Sequence, residues 1–154
     1  MGVNVSHVYR LYLDACCLNR PFDDQSQDRI RIETEAVIII LKNIRNGKIK
    51  LIGSDVLNLE IEKIPDPIRK YKVQSILRYC SRVLVVDDTI KKAASELQSL
   101  GLKGFDAFHI ASCGRARVDA FVTTDDKIIK LTSKINTLVS AGIYNPINWV
   151  QEFL

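Results

Sequence analysis

The first predicted strand is His7-Val8-Tyr9-Arg10-Leu11-Tyr12-Leu13, and Asp14 follows it directly. β-Branched, aromatic and leucine side chains dominate this run, which is typical of a strand. The next residues, Ala15 to Asp24, include an asparagine, a proline and two aspartates, which predict a loop. Ligands of open α/β sheets bind where loops leave the carboxyl ends of strands. Asp14 therefore has three possible roles at this point: a metal ligand, a nucleophile, or a cap for the segment that follows.

The composition is that of an ordinary globular protein with a mild positive charge. The 154 residues are 47% hydrophobic and 26% charged, and the net charge is +4. A chain of this length can bury a proper core, so we expect one domain over residues 1–154. The positive excess is compatible with an anionic partner such as RNA and does not require one.

The cysteines and apolar runs argue against a structural zinc site and a membrane span. Cys16, Cys17, Cys80 and Cys113 form no Cys-x-x-Cys pair. The longest apolar run, Ala36–Leu41, is far too short to cross a bilayer, and no leader-like pattern opens the sequence. We therefore expect a cytoplasmic protein with reduced thiols.

Predicted strands and helices alternate along the chain. Further strands are predicted over residues 48–53, 83–86 and 120–123, with a weaker one near 138–140. Helices are predicted from Asp28 to about Asn46, after Ser54-Asp55, from Asp66-Pro67 to Cys80, from Asp87-Asp88 to about Leu100, from Phe105, after Asp125-Asp126 and from Asn145-Pro146. This alternation predicts a three-layer α/β/α sandwich with a central, mostly parallel sheet of about five strands.

The segment from Asp28 to Asn46 is ambiguous in its middle. Val37-Ile38-Ile39-Ile40-Leu41 is rich in β-branched residues and could form a strand. The cap at Asp28, Gly47 after the end, and the order of acidic and basic residues favour a helix. Because this helix is apolar on all sides, we expect it to be buried against the sheet and against a second subunit.

Four acidic residues follow strand ends or begin helices. Asp14 ends the first strand, Glu60 lies in the helix after the second, Asp106 lies in the first turn of its helix, and Asp125 follows the fourth strand. A parallel sheet would bring them to one edge, where they would repel each other and have raised pKa values unless a cation held them. Carboxylate oxygens suit Mg²⁺ or Mn²⁺. Taken singly, each acid could instead be a helix cap or a solvated side chain.

Four stretches together resemble the acidic motifs of PIN domains. They are Tyr12-Leu13-Asp14; Ser54 with Glu60 six residues later; Leu102-Lys103-Gly104-Phe105-Asp106-Ala107-Phe108-His109-Ile110-Ala111; and Phe121-Val122-Thr123-Thr124-Asp125. Their order and spacing match that family over nearly the whole chain. The nearest subgroup is the small prokaryotic PIN proteins, which include VapC-type toxins of toxin–antitoxin pairs.

The resemblance implies a metal-dependent endoribonuclease. In that family the first, third and fourth acids, here Asp14, Asp106 and Asp125, hold one or two Mg²⁺ or Mn²⁺ ions, and the second, here Glu60, completes the cluster. Such an ion activates water for attack on an RNA phosphodiester. The resemblance also implies 5′-phosphate and 3′-hydroxyl product ends, a homodimer and a cognate antitoxin protein as partner.

The sequence departs from the family pattern at three places. Many relatives have Ser or Thr after the first aspartate, where this chain has Ala15, so the hydroxyl's role is empty or is taken by Asn19. Asp23 and Asp24 could add ligands, although a loop-fixing role is favoured. Asp126 competes with Asp125 as the fourth acid, and we choose Asp125.

Substrate contacts are predicted around the acids. They are Asn19, Arg20, Lys103, His109 and Thr124, of which the two basic side chains could bind phosphates. Asp106, His109 and Cys113 share one helix face and could suggest a zinc or redox site. No second His–Cys pair supports that interpretation. A buried cysteine also usually behaves as a small hydrophobe.

Three other function classes are considered. A haloacid-dehalogenase-type phosphatase needs a second aspartate at the position of Cys16, and a receiver domain needs an acidic pair where Asp14-Ala15 stands. A non-catalytic RNA- or protein-binding module becomes the better interpretation if the acids fail to converge. No glycine-rich phosphate loop supports a nucleoside-triphosphate enzyme.

Overall fold

In the computed structural model, which describes residues 7–154, the first predicted strand forms the middle of a five-stranded sheet. The strands are β1 (Tyr9–Leu13), β2 (Ile49–Ser54), β3 (Cys80–Leu84), β4 (Ala120–Val122) and β5 (Gly142–Tyr144). Their order across the sheet is β3-β2-β1-β4-β5, and all neighbours are parallel. This arrangement confirms the predicted α/β class with a parallel central sheet.

Helices follow each strand and flank the sheet. They are α1 (Ala15–Asn19), α2 (Asp28–Arg45), α3 (Asp55–Glu62), α4 (Pro67–Leu77), α5 (Asp88–Gln98), α6 (Phe105–Ala116), α7 (Asp126–Ile129), α8 (Thr132–Ile135) and α9 (Pro146–Phe153), with a short 3₁₀ turn at Arg20–Phe22. Helix α2 packs against α9, and α5 packs against α6. Within residues 7–154, no helix combines the length and apolar composition that a membrane crossing requires.

Four helices begin at capping residues that the sequence predicts. Ser54, Asp66, Asp87 and Asn145 each cap a helix by accepting a backbone N–H hydrogen bond from its first turn. Such a bond forms between near neighbours in the chain, so the residue types alone indicate it. The long segment from Asp28 is a helix, as predicted, and Gly47 adopts a positive φ of 81° just beyond its end. The predicted cap at Asp28 is wrong, because Asp28 is the first helical residue and the N-cap is Gln27, which makes no side-chain capping bond within the described residues.

Three predicted elements are wrong in place or kind. Residues 15–22, predicted as a loop, form α1 and the 3₁₀ turn. Helix α4 ends at Leu77, and Cys80 begins β3, whereas the prediction placed Cys80 in the helix and the strand at residues 83–86. β3 lies at the edge of the sheet, and three of its five residues are exposed, so its sequence lacks the alternation of apolar and polar residues that predicts a strand.

The last predicted strand is also displaced. The apolar Leu138–Ser140 segment is irregular, and the strand is β5, four residues later. The Asn136 side chain donates hydrogen bonds to the carbonyls of Val139 and Ala141, at 2.9 and 2.8 Å, which fixes this segment as a turn.

The strand order reverses between β1 and β4. From β1 the chain builds outward through β2 to β3, then returns to place β4 and β5 on the other side of β1. The Asp14 N–H donates to the Val122 carbonyl at 3.0 Å, so the ends of β1 and β4 are aligned. In open α/β sheets the crevice at such a reversal is where ligands bind. Asp14 and Asp125 therefore flank this crevice.

Candidate active site at the carboxyl edge of the sheet

Asp14 is buried at the end of β1 and caps α1. Its Oδ1 accepts a hydrogen bond from the Ala15 N–H at 2.8 Å, and its Oδ2 accepts one from Thr123 Oγ1 at 2.8 Å. Burial raises the pKa of Asp14 well above its ordinary value, and the neighbouring Cys16 and Glu60 raise it further. The carboxyl group is thus held in one position, and burial disfavours its ionised form.

Glu60 approaches Asp14 from α3. Its Oε2 lies 2.7 Å from Nε2 of His109, whose ring is fully buried. One ligand-type atom from each of Asp14, Glu60 and His109 lies within 4.8 Å of the others. The second and first predicted acids are therefore brought together, as the sequence predicted.

Asp106 and Asp125 approach from two other elements but are not among the groups whose ligand atoms lie within 4.8 Å of one another. Burial raises the pKa of the half-buried Asp106, and the negative charges of Asp125 and Glu60 raise it further. Gly104, with a φ of 53° that favours glycine, precedes α6 and places Asp106 in its first turn. Asp125 caps α7 by accepting the Lys127 N–H at 2.9 Å. We refer to Asp14, Glu60, Asp106 and Asp125 as the acidic cluster.

The acidic cluster has the properties of a site for a hard divalent cation. Within residues 7–154, no lysine or arginine forms an ion pair with any of its four members. Two of its carboxyl groups, Asp14 and Asp106, have raised pKa values. A cation would relieve this repulsion, and carboxylate oxygens are the ligands that Mg²⁺ and Mn²⁺ prefer. The residues present therefore fit such an ion.

Asp126 is engaged elsewhere. Its two carboxylate oxygens each accept a hydrogen bond from the Arg29 guanidinium, both at 2.9 Å, and the side chain is exposed. The hydrogen bonds from Arg29 hold the pKa of Asp126 below its ordinary value. This pairing favours Asp125 over Asp126 as the fourth acid.

The residues after Asp14 are tied into the protein. Asn19 donates to the Ala15 carbonyl at 2.9 Å, and within the described residues it has no hydrogen bond to the acidic cluster. Arg20 forms ion pairs with Glu33 at 2.9 Å and Asp23 at 3.1 Å. These bonds occupy two side chains that the sequence analysis predicted to contact substrate.

Asp23 and Asp24 have loop-fixing contacts. Asp23 binds both Arg20 and Arg69, and Asp24 accepts the hydroxyl hydrogen bond of Ser26 at 2.7 Å. Arg69 also donates to the Phe22 carbonyl. The segment is therefore held against α4, which is the role that the sequence analysis favoured over metal binding.

The other three predicted substrate contacts differ in accessibility. Lys103 is exposed in the turn before α6. Thr124 is buried, and its backbone N–H donates to Cys16 Sγ at 3.3 Å while its carbonyl accepts from Arg29 at 3.2 Å. His109 is fully buried and faces Glu60. Among these three, Lys103 is the side chain open to a ligand.

The roles of Thr123 and Tyr12 were not predicted from the sequence. Thr123 provides the hydroxyl that Ala15 lacks: it donates to Asp14 and accepts the Asp125 N–H at 3.1 Å, linking two of the acids. The register of a parallel β1–β4 pair could have indicated it, because Leu13 pairs with Val122 and the next residues are therefore neighbours. Tyr12 contacts His109, which is 97 residues away, and no local pattern predicts that contact.

A groove of about 820 Å³ lies elsewhere, between α2 and α4. Its lining is mostly apolar and comprises Ile38, Leu41, Lys42, Ile44, Arg45, Asn46, Ser75, Ile76 and Tyr79. None of the acidic cluster lines it, so its chemistry is not that of the candidate site.

Comparison with known proteins finds similarity in structure but not in sequence. No family model matches the chain, and no curated protein matches it. Among solved structures, a chain in the crystal structure of VapBC2 from Rickettsia felis bound to a DNA fragment from their promoter is similar. The TM-score is 0.55 at 12% sequence identity, over 88% of this chain and 98% of that chain. The two chains share a fold.

Proposed function

We propose that this protein is a PIN-type ribonuclease that uses Mg²⁺ or Mn²⁺ to hydrolyse phosphodiester bonds within RNA. The observation that carries the proposal is the acidic cluster beside the reversal point of a parallel sheet. Ligand atoms of Asp14 and Glu60 lie within 4.8 Å of each other, and the negative charges of Asp125 and Glu60 act on Asp106. Within residues 7–154, no lysine or arginine is paired to any of the four acids. The shared fold with a chain of a VapBC2 structure supports it.

The residues have separate tasks in this proposal. Asp14, Asp106, Asp125 and Glu60 hold the cation, and Asp14 is oriented by Ala15 and Thr123. A bound divalent ion would activate a water molecule and offset charge on the phosphodiester. Asp14 and its oxygens do not need to reorganise when the ion binds, because both hydrogen bonds already fix them.

Lys103 is proposed as a phosphate contact for the RNA. It is exposed, and it directly precedes Gly104 and the helix that carries Asp106. A positive side chain there would attract the substrate backbone toward an otherwise negative site. The net charge of +4 is in keeping with an anionic substrate.

The experiment measures cleavage of single-stranded RNA with Mg²⁺ or Mn²⁺, with EDTA, and with the ion restored after EDTA. We expect cleavage that EDTA abolishes and the ion restores, giving products with 5′-phosphate ends. Asp14→Asn should reduce the rate by about 100-fold or more, since it removes a charged ligand. Asp119→Asn is the matched control, because Asp119 precedes β4 and lies at the opposite edge of the sheet. Equal rates for Asp14→Asn and the control would contradict the proposal.

We further propose that the protein is the toxin of a toxin–antitoxin pair and forms a homodimer. The toxin role predicts that expression arrests bacterial growth, that Asp14→Asn does not, and that the product of a small adjacent reading frame relieves the arrest. The homodimer is favoured by exposed isoleucines along α2, namely Ile32, Ile38 and Ile39. Light scattering of the purified protein tests it, and a monomer at all concentrations would contradict it.

A further inference from the structure

We propose that a buried chain of hydrogen bonds through Ser54, Tyr12 and His109 fixes the position of Glu60. In this proposal His109 is a positioning residue that acts through Glu60 and is not itself a ligand of the cation. The inference deepens the proposed function, since it rests on Glu60 being part of the metal-binding acidic cluster.

The chain joins four elements of the fold. Ser54 Oγ lies 2.6 Å from the Tyr12 hydroxyl, and that hydroxyl lies 2.6 Å from His109 Nδ1. On the other side of the ring, Nε2 lies 2.7 Å from Glu60 Oε2. Ser54, Tyr12 and His109 are each fully buried. Residues from β1, the end of β2, α3 and α6 are therefore connected without solvent between them.

The donor in each hydrogen bond of this chain can be assigned by starting from the Leu57 N–H. Ser54 Oγ accepts the Leu57 N–H at 3.0 Å as the cap of α3. The Ser54 hydroxyl proton then has one partner within the described residues, the Tyr12 oxygen. Because buried donors are almost always satisfied, Ser54 donates to Tyr12 and Tyr12 donates to His109 Nδ1.

The histidine tautomer is then determined. Since Nδ1 accepts from Tyr12, the ring proton lies on Nε2 and is donated to Glu60. Both ring nitrogens are occupied, so His109 has no lone pair available for a metal ion. This distinguishes His109 from Asp14 and Glu60, although all three lie close together.

Packing holds the ring in this orientation. The His109 ring is stacked near Phe121, with centroids 6.5 Å apart and planes at 24°, and Tyr12 packs against the same Phe121 at 5.7 Å. Within residues 7–154, the other oxygen of Glu60 has no hydrogen bond. The chain thus restrains one Glu60 oxygen and leaves the other open to a ligand.

The first test is the tautomer in the metal-free protein. The chain has two histidines, His7 and His109, so ¹⁵N NMR of the imidazole nitrogens can be assigned with a His7→Ala variant. We expect His109 to be the Nε2–H tautomer with a slowly exchanging proton. Tyr12→Phe should change the His109 signals, whereas Tyr9→Phe, on the same strand, should not. An Nδ1–H tautomer in the wild type would overturn the proposal.

The second test is Mn²⁺ affinity by calorimetry. Tyr12→Phe removes one hydroxyl and should weaken binding by about 10–100-fold, as is common when the partner of a ligand is lost. His109→Gln keeps a side-chain donor toward Glu60, so it should bind Mn²⁺ more tightly than His109→Leu. Tyr9→Phe is the control, since its hydroxyl has no hydrogen bond within the described residues. Wild-type affinity in both Tyr12→Phe and His109→Leu would overturn the proposal.

The outcomes separate this inference from the ribonuclease proposal. If His109 were a ligand, His109→Gln would lose affinity while Tyr12→Phe would keep it, and the inference would fail. If the wild type bound Mn²⁺ and the variants bound it more weakly but no RNA were cleaved, the positioning role would stand and the ribonuclease proposal would fail. For the ribonuclease, Tyr12→Phe should be rescued by higher Mn²⁺ with an unchanged KM for RNA.

Discussion

Asp14 has a structural role, the cap of α1, beside its proposed role as a metal ligand. It caps α1, and it also contributes a buried carboxylate to the acidic cluster. Of the three roles that the sequence left open, the cap is therefore shown, and the metal ligand is proposed beside it. A buried charge of this kind destabilises the metal-free fold and becomes favourable when a cation binds.

Asp14→Asn should therefore stabilise the metal-free protein near neutral pH. The fold raises the pKa of Asp14, chiefly by burial, so ionisation of this group costs free energy of folding as pH rises through the folded pKa. Below an ordinary aspartate pKa of about 4, the carboxyl is neutral in both states and the cost disappears. Each kcal/mol of stability gained should raise the melting temperature of Asp14→Asn above that of the wild type by about 2–4 °C. This difference should vanish as the pH approaches about 4.

Thermal unfolding with and without Mn²⁺ measures this effect. Added Mn²⁺ should raise the melting temperature of the wild type more than that of Asp14→Asn, since ligand binding stabilises the folded state by mass action. Asp119→Asn is again the control and should follow the wild type. A lower melting temperature for Asp14→Asn at neutral pH would contradict this account of Asp14.

The site's residues could be predicted from the sequence only where the contact is short-range or follows strand order. Asp14 could be predicted because a run of strand-forming residues ends at it. Ser54 could be predicted because a helix cap bonds to the first turn of its own helix. The role of Thr123 required the β1–β4 register, and the role of Tyr12 required knowing that α6 packs over β1. Distant partners of this kind leave no local pattern.

At the scale of elements, α2 is joined to its neighbours through Glu33. This side chain is fully buried, yet it accepts hydrogen bonds from Arg20 at 3.0 Å, Arg29 at 3.4 Å and Asn145 at 2.6 Å. Arg29 in turn binds Asp126. One carboxylate thus connects the 3₁₀ turn, α2 and the start of α9.

Glu33→Ala should lower the free energy of unfolding by roughly 3 kcal/mol, because it removes a fully buried carboxylate and leaves the half-buried Arg20 and Asn145 without their acceptor. Glu33→Gln should lose less, since an amide oxygen still accepts. Glu35→Ala is a matched control on the same helix, and its exposed side chain should change stability by less than about 0.5 kcal/mol. Urea denaturation measures all three, and equal stability of Glu33→Ala and Glu35→Ala would contradict the role of Glu33.

Edge strands explain why some elements were misplaced. Val83 and Val85 are apolar but exposed, at 46% and 70%, and within β3 only Leu84 is buried, so burial does not mark where this strand begins. β5 has three residues and one neighbour, which is too short for a periodic pattern. Central strands, by contrast, are buried on both faces and were located to within a few residues.

At the scale of the whole molecule, strand order decides where chemistry can occur. The alternation of strands and helices was sufficient to predict a parallel sheet. The order β3-β2-β1-β4-β5 adds the crevice between β1 and β4, where Asp14 and Thr123 bond to each other.

The most direct test of the central claim is the Mn²⁺-dependent cleavage rate of single-stranded RNA across one set of variants. Asp14→Asn, Glu60→Gln, Asp106→Asn and Asp125→Asn should each lose activity by about 100-fold or more, because each removes a charge that holds the ion. Asp119→Asn and Asp126→Asn should stay within about threefold of the wild type, as surface acids outside the cluster. Cleavage by all six variants at the wild-type rate would contradict the claim that the acidic cluster is a metal-dependent ribonuclease site.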